Sequence, residues 1–267
     1  TAIQGVEVDP TFAPLYAAQG VAYTNLQRLD EGVRNAEYAA QLDPFNPIVQ
    51  RALYTPYLYV GRYQDAINAL MTAISLQPNL TAPRFELAFI YALPQVGQPE
   101  MAVAIYNTII TMGPDNAKAY LRLCETYARV ERAEFRVAQP YCDQAIEIDP
   151  AYGSAYRETG RMQYVRRNYE GAIESFGRCV DLGAEDIECW YLRGLAHYYL
   201  GECEDAWQVL TESREIAIAR NAGEGVTDEI EDGLFLIRRD CPGFIAIDIP
   251  TAPPPTSIPP TPIGGGF

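Results

Sequence analysis

An all-α solenoid of about six helix hairpins is the fold this sequence predicts, and three observations predict it. A proline returns at Pro10, Pro44, Pro78, Pro114 and Pro150, in steps of 34, 34, 36 and 36 residues. Twelve residues before each proline from Pro44 onward stands a small residue, Gly32, Ala66, Ala102 and Ala138, and this series runs on without prolines to Ala172 and Ala206. Between these markers apolar residues recur at helical spacing, as in Ala66, Ile67, Leu70, Ala73 and Ile74. A period near 34 residues belongs to a solenoid, because each unit buries its apolar face only against its neighbours. Proline ends the second helix of a unit and turns the preceding residue away from helix. The small residue lets the two helices cross closely.

Taken in order, residues 1–12 read as a partial repeat, the second half of a helix (Ala2-Ile3-Gln4-Gly5-Val6-Glu7-Val8-Asp9-Pro10) with an open edge. Six units follow over 13–220. The first carries Tyr16, Gly20, Tyr23, Gly32 and Ala39, and the second Leu53, Tyr57, Gly61, Ala66, Leu70, Ala73 and Pro78. The third has Leu87, Tyr91, Ala102, Tyr106 and Pro114, with two extra residues around 94–97. The fourth has Tyr120, Leu123, Tyr127, Ala138, Ala145 and Pro150, again expanded by two near 130–133. The fifth has Tyr156, Gly160, Ala172 and Phe176, with Ala184 in place of the proline, and the sixth has Trp190, Gly194 and Ala206.

These positions resemble the tetratricopeptide repeat family, whose pattern runs W-x2-L-G-x2-Y, then A-x3-F, then P over about 34 residues. The likeness covers roughly residues 2–220, and Gly61-Arg62-Tyr63-Gln64-Asp65-Ala66 looks like the family's inter-helix turn. Residues 221–241 resemble its capping helix, with Ile230, Leu234 and Ile237 on one face of 227–239. From 242 to 267 the composition changes: the seven prolines from Pro250 to Pro262 rule out helix and favour an extended tail, and Gly264–Gly266 loosen it. Phe244-Ile245-Ala246-Ile247-Asp248-Ile249 just before the prolines is strand-like.

The resemblance implies a right-handed solenoid whose first helices line a concave groove for extended peptides. Groove positions would be Arg51, Tyr59, Phe85, Phe89, Leu121, Arg157, Arg161, Tyr164, Tyr191, Leu195 and Tyr198. Aromatic faces suit proline-rich ligands; the competing reading is ordinary wall packing. The clamp by which chaperone-binding members hold a C-terminal carboxylate is missing, since Ala17 and Val21 occupy its first two positions. The family's hairpin also sets Cys124 opposite Cys142, Cys179 beside Cys189, and leaves Cys203 with Cys241. Three such disulfides imply an oxidising compartment; the alternative is small core residues in a reduced protein.

Composition excludes several classes. The net charge of −15 argues against nucleic acid or anionic lipid as partners. No apolar run reaches the length of about 18 residues that would insert in a membrane. His197 is the one histidine, and the chain has no Walker loop, no GxGxxG after a strand, no HExxH and no CxxC. No catalytic residue, cofactor or metal is expected. Asn79-Leu80-Thr81 is an N-glycosylation triplet, and Thr251, Thr256, Ser257 and Thr261 are candidates for O-linked sugar. The chain opens at Thr1, which a cleaved secretory signal would explain, as would a cloning boundary.

Two functions remain. In the first, an exported, extracellular or periplasmic structural protein polymerises head to tail with other copies of itself. Its tail (Phe244, Ile245, Ile247, Ile249, Pro253, Pro254, Pro255 and Phe267) then docks on a neighbouring subunit. In the second, a monomeric adaptor binds an extended peptide of another protein in its groove.

Overall fold

The computed structural model describes residues 11–130, 135–183 and 186–241. The open-edged segment before residue 11, the strand-like 244–249, the docking tail and its Thr and Ser sugar sites lie outside the described residues. Among the described residues every regular element is a helix. They divide into two compact units, one up to residue 185 and one from residue 186.

In the first unit the helices pair in chain order. Helix α1 (Ala13–Asn25) packs on α2 (Leu29–Leu42), and α3 (Pro47–Ala52) with α4 (Tyr54–Tyr59) on α5 (Tyr63–Leu76). Then α6 (Ala82–Ala92) packs on α7 (Pro99–Met112), α8 (Ala117–Val130) on α9 (Phe135–Ile148), and α10 (Gly153–Val165) on α11 (Tyr169–Asp181). The periodic small residues sit where the helices of a pair meet: Ala66, Ala102, Ala138 and Ala172 are all 0% exposed. At Gly20 the fit is closest. A Cβ there would stand 2.9 Å from the Ala36 side chain and 2.9 Å from the Gly32 carbonyl oxygen.

The marker prolines stand just past the second helices. Asp43, Gln77 and Gly113 close α2, α5 and α7, and Pro44, Pro78 and Pro114 follow them. The fifth pair, which lacks the proline, ends instead with Gly183 at φ 68°.

Within the first, second and fifth pairs the turn repeats one backbone device. Gly61, at φ 76°, donates to the Leu58 carbonyl and Arg62 to that of Tyr57, satisfying the last carbonyls of α4. The same two bonds recur at Gln27 with Arg28 and at Arg167 with Asn168, with φ values of 61° and 62° at non-glycine residues. The third pair departs from this. Its turn runs from Leu93 to Gln98, absorbing the two extra residues.

One element differs from the expected single helix. The first helix of the second repeat is interrupted at Leu53, between α3 and α4. Pro56 explains it, since it has no N–H to give the carbonyl of Ala52 and its ring crowds that oxygen.

In the second unit α12 (Ile187–Leu200), α13 (Cys203–Ala219) and α14 (Glu224–Asp240) enclose one core. Ala206, Leu210, Ala217, Ile230, Leu234 and Ile237 are all 0% exposed in it. Gly201, at φ 79°, closes α12. Helix α13 stops at Ala219, and Asn221 turns to φ 52° just beyond it. No helix among the described residues is long and apolar enough to cross a membrane.

Candidate functional site

The expected groove residues of the first unit stand on its first helices, and Arg51, Phe85 and Arg157 meet a partner from an adjacent repeat. Arg51 on α3 forms a bidentate ion pair with Glu86 on α6, with contacts of 2.5–3.0 Å. Tyr59 at the end of α4 is 50% exposed, and Phe89 on α6 is 46% exposed. One turn before Phe89, half-buried Phe85 lies 6.1 Å from the Tyr106 ring, with the Lys118 ammonium 4.7 Å over its face. Arg157 on α10 reaches Glu125 on α8 at 3.3 Å, and Arg161 pairs with Glu158 at 3.2 Å. Tyr164 meets Tyr169 edge to face at 5.6 Å. These helices thus carry two open aromatic rings, Tyr59 and Phe89, and the ion pairs of Arg51, Arg157 and Arg161.

Four of the expected groove residues do not stand open on such a face. Leu121 is 2% exposed and belongs to the core of α8, α9 and α10. It lies one turn before Cys124, on the side of α8 that meets α9, so it turns inward with it. Tyr191, Leu195 and Tyr198, in the second unit, are half-buried against the core formed with α14. The capping helix covers them because Gly233 lets it come close: a Cβ at Gly233 would stand 2.9 Å from Leu195. The Tyr198 hydroxyl then donates to Asp240 at 2.5 Å.

The acids of this face carry no helical motif, and the sequence reading missed them. Glu125 is 4% and Glu158 3% exposed. Glu125 is held from two sides, by Arg122 at 2.5 Å and by Arg157. A buried carboxylate stays ionised only when paired in this way. The spacing of Glu125 from Arg157, close to one repeat, is the signal that would have found the pair.

Beside Glu125 lies a cavity of about 340 Å³ between α6, the long third turn, α7 and α8. Phe89, Leu93, Pro94 and Pro99 form its apolar wall, and Tyr106, Arg122, Glu125 and Arg129 its polar side. Burial pushes the Tyr106 phenol up to about 12, so it stays protonated and able to donate.

Sulfur geometry is local. Cys124 and Cys142 form a disulfide across α8 and α9, with Cα atoms 5.4 Å apart. Cys203 and Cys241 form another, joining the start of α13 to the residue after α14. Cys179 and Cys189 are 0% exposed, and no described cysteine is a free thiol. Asn79 is exposed in the turn between α5 and α6. His197, Glu202 and Asp205 bring ligand atoms within 4.8 Å of one another. His197 Nδ1 faces the Glu202 carboxylate at 2.6 Å, and both acids are open to solvent.

A family model described as "Tetratricopeptide repeat" matches residues 125–187, which span the fourth and fifth pairs. Over 196 residues the chain is 26% identical to the human mitochondrial import receptor subunit TOM70, a match covering 71% of this chain and 32% of that protein. Its fold is similar to a chain of the APC/C hetero-tetramer Cut9-Hcn1, with a TM-score of 0.65 at 16% identity, covering 87% of this chain and 45% of the other. It is likewise similar to PilW, a type IV pilus biogenesis factor, with a TM-score of 0.64 at 16% identity over 83% and 98% of the two chains. Residues 125–187 belong to the tetratricopeptide repeat family. The chain spans about a third of the length of the TOM70 it matches. Its helix pairs make an α-solenoid of the kind that serves protein–protein interaction, and two of its departures from the family pattern are the turn beside the cavity and Pro56.

Proposed function

We propose that the chain is an adaptor that holds an extended peptide of a partner protein along the first helices of its first unit. The observation that carries this reading is the pair of open aromatic side chains, Tyr59 and Phe89, on the same series of first helices that the Arg51–Glu86 and Arg157–Glu125 pairs join. Large exposed rings on a rigid support are what a peptide site offers, because they bury area at little cost in side-chain entropy. Relatives named as an import receptor subunit and a pilus biogenesis factor fit the same general role. The head-to-tail polymer draws on segments 1–10 and 242–267, outside the described residues, so the adaptor reading leads. The disulfides Cys124–Cys142 and Cys203–Cys241 support an oxidising compartment and hence export.

Selection of random displayed peptides on the oxidised protein tests the adaptor. Enriched peptides should lose binding to Tyr59→Ala and Phe89→Ala and keep it to Met71→Ser, a change on the second-helix side. Enriched peptides indifferent to Tyr59 and Phe89 would move the site elsewhere and reject the reading.

A further inference from the structure

Resting on that reading of the first-helix face, we propose that the cavity beside the third turn is a specificity pocket for an acidic residue. It would take the carboxylate of an Asp or Glu that the partner's peptide carries next to an aromatic or aliphatic side chain. The cavity of about 340 Å³ has room for one or two side chains and lies near the lower end of ordinary ligand pockets.

Its wall explains the apolar half of the preference. Phe89 is 46% exposed; Pro94 stiffens the turn that Val96 and Gly97 close onto the Leu93 carbonyl, and Pro99 opens α7. Leu93 and Pro94 belong to the six-residue turn 93–98, which Phe89 and Pro99 flank, whereas the turns after α1, α4 and α10 take three residues. The expansion of the third repeat therefore builds a wall that the first, second and fifth repeats lack.

The polar side explains the acidic half. Tyr106 is 3% exposed and lines the cavity, yet its hydroxyl has no hydrogen-bond partner among the described residues. An acceptor entering the cavity can take this donor's hydrogen bond. Arg129 is exposed at the rim with no ion-pair partner among the described residues. Glu125, the one acid in the lining, is already neutralised by Arg122 and Arg157. With Arg122, Arg129 and the neutral Tyr106 donor, the pocket is a local anion-accepting spot on a chain whose net charge is −15. The whole-molecule field favours basic peptides, so an acidic preference can come only from a local site.

The experiment selects random displayed peptides in parallel against the oxidised wild type and against Arg129→Glu. The wild type should enrich Asp or Glu beside Phe, Tyr or Leu. Arg129→Glu, a surface change checked by an unaltered melting temperature, should lose the acidic preference and keep the apolar one. A synthetic copy of an enriched peptide should bind Tyr106→Phe roughly three- to tenfold more weakly. Wild-type peptides without an acidic preference, or a preference that survives in Arg129→Glu, would overturn the pocket. Peptides that lose binding to Tyr59→Ala but ignore Arg129→Glu would sink the pocket and leave the adaptor standing. Failure to enrich any peptide would count against both.

Discussion

Arg157 on α10 reaches back 32 residues to Glu125 on α8, its guanidinium 3.3 Å from a carboxylate whose side chain is 6% exposed. The pair ties the first helix of one repeat to that of the next, and Arg122 holds the other oxygen from within α8. Removing the acid leaves Arg157, 20% exposed, without this partner in a poorly solvated position. Glu125→Ala should therefore destabilise the first unit by about 2–3 kcal/mol, below the range for a fully buried pair because Arg122 is 42% exposed. Denaturant unfolding measures it, and a loss under about 0.5 kcal/mol, the size of a surface pair, would contradict the burial.

Gly20 faces backbone rather than a movable side chain. Its would-be Cβ meets the Ala36 nitrogen and the Gly32 oxygen, each at 2.9 Å, so the helices must part to admit a methyl group. Gly20→Ala should cost about 1–3 kcal/mol although alanine is the better helix former. Thermal melting should show the drop. A stabilised variant would mean that α1 and α2 are not packed this closely.

The disulfide from Cys203 to Cys241 closes a loop with a sequence separation of 38 and fastens α14 onto α13. In the chain-entropy picture a loop of that size is worth about 4 kcal/mol. Replacing both cysteines by serine should lower the stability of the second unit by an amount of that order. Urea titration followed by tryptophan fluorescence reads this directly, since Trp207 packs against the same core.

The capping helix should also respond to acid. The Asp240 carboxyl is held down to about 2, first by its hydrogen bond with Arg239 and then by that with Tyr198. Its folded value lies below the ordinary 3.8, so its contribution is present above pH 3.8 and is lost as pH falls toward 2. Wild type should out-melt Asp240→Asn near pH 5, and the gap should close between about pH 4 and 2. A gap that persists at pH 2 would remove Asp240 from the docking of α14.

The repeat architecture was legible because a solenoid writes its core periodically. Ala66, Ala102, Ala138 and Ala172 mark helix crossings, and a proline follows each of α2, α5 and α7. Aperiodic details were not. Pro56 reads as one more turn residue until its place inside a first helix shows that it must interrupt it. Leu121 occupies a groove position by count, but its burial depends on how α8 rotates against α9, which spacing does not determine. Tyr191, Leu195 and Tyr198 were assigned as if another open face followed, whereas α14 lies on them. At the site the aromatic residues were visible as exceptions to polarity. Glu125, Arg122 and Arg129 were hidden among ordinary surface charges, and only their convergence on Tyr106 and one cavity sets them apart.

Amide hydrogen exchange on the oxidised protein, with and without the tightest peptide from the selection, tests the adaptor reading most directly. Binding along the first helices should add protection to α4, α6, α8 and α10 and to the turn at 93–98, leaving α5, α7 and α9 unchanged. Protection confined to those second helices, or to the second unit alone, would contradict it.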